Sequence, residues 1–431
     1  MRRRVGAIAL TTAAVLVGTT ACSGGTTGGD SDKPEGDGTV TVFHRWTESH
    51  KDAVENTLER CNAELPDIEI EISSVPPGDY EVQLPVTLSS ASPPDIYALW
   101  PGGRPLFQAE NGVIAPITDF YNETVAPRYV EGVNLGATEV DGEVYVMPFN
   151  VQPNEFYYRT DVFEELGLSA PTTWDEFVDV TEKIAASGVT PIILGSSLGW
   201  EPLLWFDYLV MRTAGPEFRA RLMQGEESYL DPKVVEAMDL WADLLEAGAF
   251  NDNITSISWD EMTPAMADGR AAMMLMGPWA VDALTNSGLV PGQDFEAFPF
   301  PEIDPSAGPS AEGAMEGWAT SGARDNAEDV YAVLDCFSST AQATEYVQEF
   351  PVLSPNREVT LDVFSDEVRP FAEGWKALTE EGSFQQNLEL ATSPQVTDVA
   401  KREFARFLAN PDEAQRVLEA LEQASQQAFG S

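Results

Sequence analysis

The stretch GEVYVMPFNVQPNEFYYRTDVFEELGL, Gly142 to Leu168, decides how the rest of the chain is read. It opens on an Asp141-Gly142 turn and then carries Val144, Val146, Phe149, Phe156, Tyr157 and Tyr158, too dense an apolar run for a surface loop. Thr160 and Asp161 can each cap a helix, and Val162, Phe163 and Leu166 follow at helical spacing before Gly167. The polar residues Asn150, Gln152 and Asn154 fall between two extended segments of buried type. The pattern predicts strands that cross between two bodies of structure, a hinge.

A chain of 431 residues is too long for one ordinary core, which fits two bodies. With 43% hydrophobic and 10% aromatic residues it is a globular protein. Its formal net charge of −47 opposes binding to nucleic acid or to an anionic membrane surface, and is mainly a solvated acidic exterior.

The N-terminus reads as an export signal. Arg2, Arg3 and Arg4 form a positive start, Val5 to Val17 a short apolar segment, and Gly18 to Ala21 small residues before Cys22. This is similar to a bacterial lipoprotein signal over residues 1–21 with Cys22 as the lipidated residue, although Thr19 stands where an aliphatic residue is preferred. Residues 22–38, rich in Gly, Ser, Thr and Asp, form an expected disordered tether. The other two cysteines, Cys61 and Cys336, both lie in helical patterns. In an exported chain such a pair invites a disulfide; two buried free thiols are the alternative. With His44 and His50 as its only histidines and no metal-ligand spacing, the chain is expected to hold no metal and no cofactor.

Thr39 to His44 alternates like a first strand, Lys51 to Leu65 follows at helical spacing, and Ile68, Ile70 and Ile72 form a second strand. Strand–helix–strand units of this kind form mostly parallel sheets, with ligands beyond the carboxyl ends of the strands. Further strands are expected at Pro94–Leu99, Pro191–Leu194, Ala271–Leu275 and Phe295–Phe300, with helices at Tyr80–Ser90, Leu106–Glu110, Trp174–Ala186 and Lys233–Leu245. Pro301 to Gly313, rich in Pro and Gly, reads as a second crossing, and the chain beyond Asp366 as helical.

Aromatic or acidic residues recur just after short apolar segments: Trp46 with Glu48, Trp100, Trp200 with Glu201, Trp279, and Trp318. Flat indoles cover the C–H faces of sugar rings, and carboxylates or amides take the hydroxyls. Each tryptophan alone could be core packing; together at strand ends they point to a ligand cleft. Paired carboxylates can also hydrolyse glycosides, but seventy-one acidic residues make accidental pairs inevitable. No nucleophile elbow, phosphate loop or HExxH helix is present, so an enzyme is not expected.

Several motifs resemble, in order, the family 1 extracellular solute-binding proteins of bacterial ABC transporters: PPDIYALW, LFQAENGVIAPI, the Gly142–Leu168 stretch, PTTWDEF, MADGRAAMMLMGPW, GAMEGWATS and PVLSPNREV. The resemblance covers nearly the whole chain from Thr39 onward. It implies a two-lobed α/β fold, each lobe a mostly parallel sheet flanked by helices. The first lobe takes residues 39–148 and 313–349, the second 149–312 and 350–431. It implies a monomer that closes on a sugar and delivers it to permease subunits at the outer face of the cell membrane. The family's sugar-stacking tryptophan matches Trp279, and the glutamate of the Glu-Pro motif in maltose-binding members matches Glu201 before Pro202. An acidic ligand residue of those members falls on Gln152, where an amide replaces the carboxylate. Leu203 stands where they have an aromatic, with Trp200 close by as a substitute. Because the resemblance puts the helices of Cys61 and Cys336 in one lobe, it favours their pairing.

Overall fold

A computed structural model describes residues 38–101, 109, 112–130, 139–140, 142–322, 326–380 and 383–430. The signal segment, Cys22, the tether as far as residue 37 and nearly all of the helix expected at Leu106–Glu110 lie outside the described residues.

The strands are β1 (Thr39–His44), β2 (Glu69–Ser74), β3 (Ile96–Leu99), β4 (Glu139–Val140), β5 (Glu143–Val144), β6 (Val146–Pro153), β7 (Glu155–Arg159), β8 (Thr190–Ile192), β9 (Ala271–Met276), β10 (Phe295–Phe298), β11 (Ser310–Thr320) and β12 (Ser383–Gln386). One sheet runs β12-β11-β3-β1-β2, with β6 also on β11; a second runs β10-β7-β9-β8. β4 and β5 form a small hairpin, with Gly142 left-handed at φ 83° in its turn.

The opening stretch crosses between the sheets as expected. β6 belongs to the first sheet, β7 to the second, and Asn154 alone separates them. Every residue from Val146 to Tyr158 is buried, which is why the run lacks the apolar–polar alternation of a half-exposed strand. Asn154, between the two strands, is held by three hydrogen bonds to distant parts of the chain. The Asn154 side chain donates to Glu312 Oε1 at 2.7 Å, its backbone N–H donates to the Glu312 carbonyl at 2.9 Å, and its own carbonyl accepts from the Tyr208 hydroxyl.

The return crossing begins in the expected segment, since Pro301 to Gly313 leads from β10 of the second sheet into a strand of the first. It is β11, antiparallel to β6 from Gly313 opposite Pro153 to Ala319 opposite Val146, with a bulge between Glu316 and Gly317. The Pro/Gly-rich segment ahead of it includes a short turn at Pro305–Ala307. A Cβ on Gly313 would lie 2.1 Å from the Gln152 carbonyl oxygen, so the two crossing strands approach this closely only with glycine there. On the other edge of β6, Val151 and Leu353 exchange backbone hydrogen bonds at 2.9 and 3.3 Å.

Two expectations need correction. The sheets are mixed. β1 is parallel to β2 and β3, and β12 to β11, but β11 is antiparallel to β3 and β6. In the second sheet only β8–β9 is parallel. Strands that cross and return must enter a sheet against its βαβ units, which forces antiparallel neighbours. The chain beyond residue 350 is also not wholly apart from the first sheet, because β12 pairs there with Ser310–Gly313.

Helix Glu48–Glu64 returns the chain from β1 to β2 and buries Val54, Leu58 and Cys61. A disulfide joins Cys61 to Cys336 of helix Ala327–Ser338, with Cα atoms 5.8 Å apart. In the second half, helix Glu201–Ala214 is buried along almost its whole length. The C-terminal helices Pro394–Ala409 and Ala414–Phe429 cover it and helix Pro232–Glu246, setting Phe404, Phe407, Val417 and Leu421 in the same cluster as Trp205 and Trp241.

Candidate functional site

The carboxyl ends of β8 and β9 carry the second sheet's share. The chain leaving β8 reaches Trp200, which precedes helix Glu201–Ala214 with Pro202 in its first turn. The chain leaving β9 passes Gly277 and Pro278 to Trp279, the first residue of helix Trp279–Asn286. A Cβ on Gly277 would lie 1.9 Å from the Trp279 ring, so that glycine lets the indole fold back on the backbone. Trp200 and Trp279 meet at a centroid distance of 6.3 Å, and Trp259 meets Trp279 edge-on at 6.5 Å. All three indoles are only half-buried.

Glu201 sits behind this aromatic wall, 1% exposed. Its Oε1 accepts from the Trp259 backbone N–H at 3.1 Å, while its buried Oε2 has no partner. Burial pushes its carboxyl up to about 7, against the pull of backbone N–H donors and Lys401. The fold leaves this carboxyl oxygen as an unsatisfied buried polar atom directly behind the indoles.

The first sheet carries a different group. Arg45, just after β1, pairs with Glu316 of β11, and its guanidinium carbon stands 3.3 Å from the Trp100 ring centre. Burial raises the Glu316 carboxyl and the Arg45 charge opposes that rise. Gln152 is buried and donates from Nε2 to Asn150 Oδ1 at 3.0 Å.

Trp200, Glu201 and Trp279 are thus brought together, and Trp100 stands with Arg45 and Glu316. Trp318 is not a cleft residue. It is 0% exposed, stacked on Phe149 and edge-on to Trp46 and Phe337, because it lies in the middle of β11 with neighbours on both sides. Trp46, 5% exposed, packs in the same aromatic cluster with His44, His50 and Phe149. Glu48 is exposed at the start of its helix, with φ 51°.

Sequence reasoning missed Trp259 and Glu316. Trp259 follows no strand; the signal for it was the Ser258–Glu261 capping box, which places it at the head of a helix. Glu316 sits inside an apolar strand pattern, where a charged residue needs a partner. Among the described residues no group of three or more His, Cys, Asp or Glu side chains could hold a metal ion.

A sequence model of the family described as bacterial extracellular solute-binding protein matches residues 47–344, well over half of the chain. The chain belongs to this family. It is a substrate-binding protein of the ABC transporter type, not an enzyme. An uncharacterized ABC transporter extracellular-binding protein of Pyrococcus horikoshii is 30% identical to it over 293 residues, 64% of this chain and 68% of that one. A multiple sugar-binding protein of Streptococcus mutans is 26% identical over 270 residues, 61% of this chain and 62% of that one. The solute-binding protein therefore spans about two thirds of the length of these relatives. Solved structures share its fold. A chitin oligosaccharide binding protein matches with a TM-score of 0.81 and 22% identity over 91% of this chain and 99% of that one. The solute receptor AcbH, described as preferring β-D-galactopyranose exclusively, matches with a TM-score of 0.82 and 20% identity over 91% and 100%.

Proposed function

We propose that the solute-binding protein captures a sugar, an oligosaccharide, between its two sheets and delivers it to the permease of an ABC importer. The half-buried wall of Trp200, Trp259 and Trp279 with Glu201 behind it carries this reading. It offers flat apolar faces for sugar rings and an acceptor for their hydroxyls. Trp100 and Gln152 are the first half's contacts in the same reading. The lobes divide at Asn154, and closure about β6–β7 and β11 is driven by the ligand's higher affinity for the closed state. Lipidation of Cys22 holds the protein, a monomer, at the outer face of the cell membrane.

The test is a thermal-shift screen against mono- and oligosaccharides alongside peptides and small cations. A bound sugar at about 100 times its Kd stabilises by about 2.7 kcal/mol and raises the melting temperature. A shift with a peptide or a cation, and none with any saccharide, would overturn the sugar assignment.

A further inference from the structure

We propose that Ser49 and Asp282 form a latch between the two halves of the protein, and that the Ser49–His50 corner ties this latch to the hinge strand. The proposal deepens the closure reading above and rests on it. Ser49 lies in the first turn of helix Glu48–Glu64, which follows β1 of the first sheet. Asp282 lies one turn beyond Trp279 in helix Trp279–Asn286, which follows β9 of the second sheet. The Ser49 hydroxyl donates to Asp282 Oδ2, and Asn286 Nδ2 donates to the same oxygen at 3.2 Å. A carboxylate with donors from both halves bonds to both only while the halves are together.

The next residue faces the hinge. His50 Nε2 lies 2.9 Å from the Tyr346 hydroxyl, and its ring stacks on Phe350 with centroids 4.1 Å apart. That hydroxyl accepts from Asn150 Nδ2 at 2.8 Å, so it links the hinge strand to the His50 ring, and a neutral imidazole can pair with it through Nε2 in either tautomer. Burial, with Arg45 nearby, lowers the imidazole's basicity and keeps it neutral. Asn150 Oδ1 then accepts from Gln152 Nε2 at 3.0 Å and from the Glu316 backbone N–H at 3.1 Å. One continuous set of hydrogen bonds runs from the latch residue's neighbour to both crossing strands. Glu48, beside Ser49, is the only non-glycine among the described residues with a left-handed backbone, and this bend starts the corner.

A bond made only in the closed form biases the equilibrium by its full worth. For a charge-assisted hydrogen bond that is about tenfold in the closed-to-open ratio. The test needs no sugar. Spin labels at the exposed positions Glu59 and Asp239, on helices of opposite halves, report the interlobe distance distribution of the ligand-free protein. Ser49→Ala and Asp282→Ala should each lower the closed-to-open ratio about tenfold, the double variant no further, and Ser49→Thr should retain the closed population. Unchanged distributions, or losses in the single variants that multiply in the double, would overturn the latch. Because the readout is ligand-free, failure of the latch and failure of the sugar assignment are separately visible.

Discussion

The protein holds two groups of tryptophans that read alike in sequence and stand in opposite situations in the fold. Trp46 and Trp318 of the first half are closed in by Phe149, Phe337 and each other. Trp200 and Trp259 of the second half each meet Trp279, and all three stay only half-buried. The difference lies in what flanks each residue. Trp318 is inside a strand with partners on both edges, whereas Trp200, Trp259 and Trp279 stand at helix starts, where the chain leaves the packed layers. A tryptophan inside a paired strand is closed in by its neighbours, whereas these three at helix starts keep part of their surface exposed.

The sharpest way to break this comparison is Trp318→Ala. Removing a fully buried indole should cost about 3–5 kcal/mol in chemical denaturation. A loss under about 1 kcal/mol would place Trp318 outside the core. Next in size is the disulfide. Replacing Cys61 and Cys336 by serine should cost about 2–5 kcal/mol, with hydrogen exchange quickening in helices Glu48–Glu64 and Ala327–Ser338 before those of the second half. Equal loosening of both halves would contradict a staple confined to one.

Glu201 sharpens the contrast from the site's side. Its folded carboxyl titrates at about 7, against an ordinary value of 4.5. Between those values the unfolded chain ionises Glu201 while the native form keeps its proton, so this group's contribution falls as pH rises and its cost is complete above about 7. Raising the pH from 5 to 8 should destabilise the wild-type protein by about 3 kcal/mol more than Glu201→Gln. Parallel stability–pH curves for the two proteins would show that the carboxyl is not held protonated.

The hinge was legible because β6 and β7 are buried on every side, and burial writes an unbroken apolar run with isolated polar residues. β1 and β2 were legible as a strand–helix–strand unit by period alone. β12 was not legible. Its residues, Ser383-Phe384-Gln385-Gln386, have no apolar period, and its strand character comes from pairing with β11, far away in sequence. The antiparallel pairings were hidden for a related reason, since strand direction depends on which sheet a crossing segment enters. Of the candidate site, Trp200, Glu201 and Trp279 were readable from their motifs. The depth of Trp318 and the arrival of Trp259 depend on neighbours that no local pattern names.

The most direct test of the central claim, that the second half's tryptophan wall is where sugar binds, is calorimetric titration of Trp279→Ala and wild type with a saccharide that stabilises the wild type. The account predicts an affinity loss of about 2–3 kcal/mol, roughly a hundredfold, with an unfolding midpoint within a few degrees of wild type in the absence of sugar. An unchanged Kd would contradict it and return Trp279 to the role Trp318 plays, that of a residue whose only partner is the protein itself.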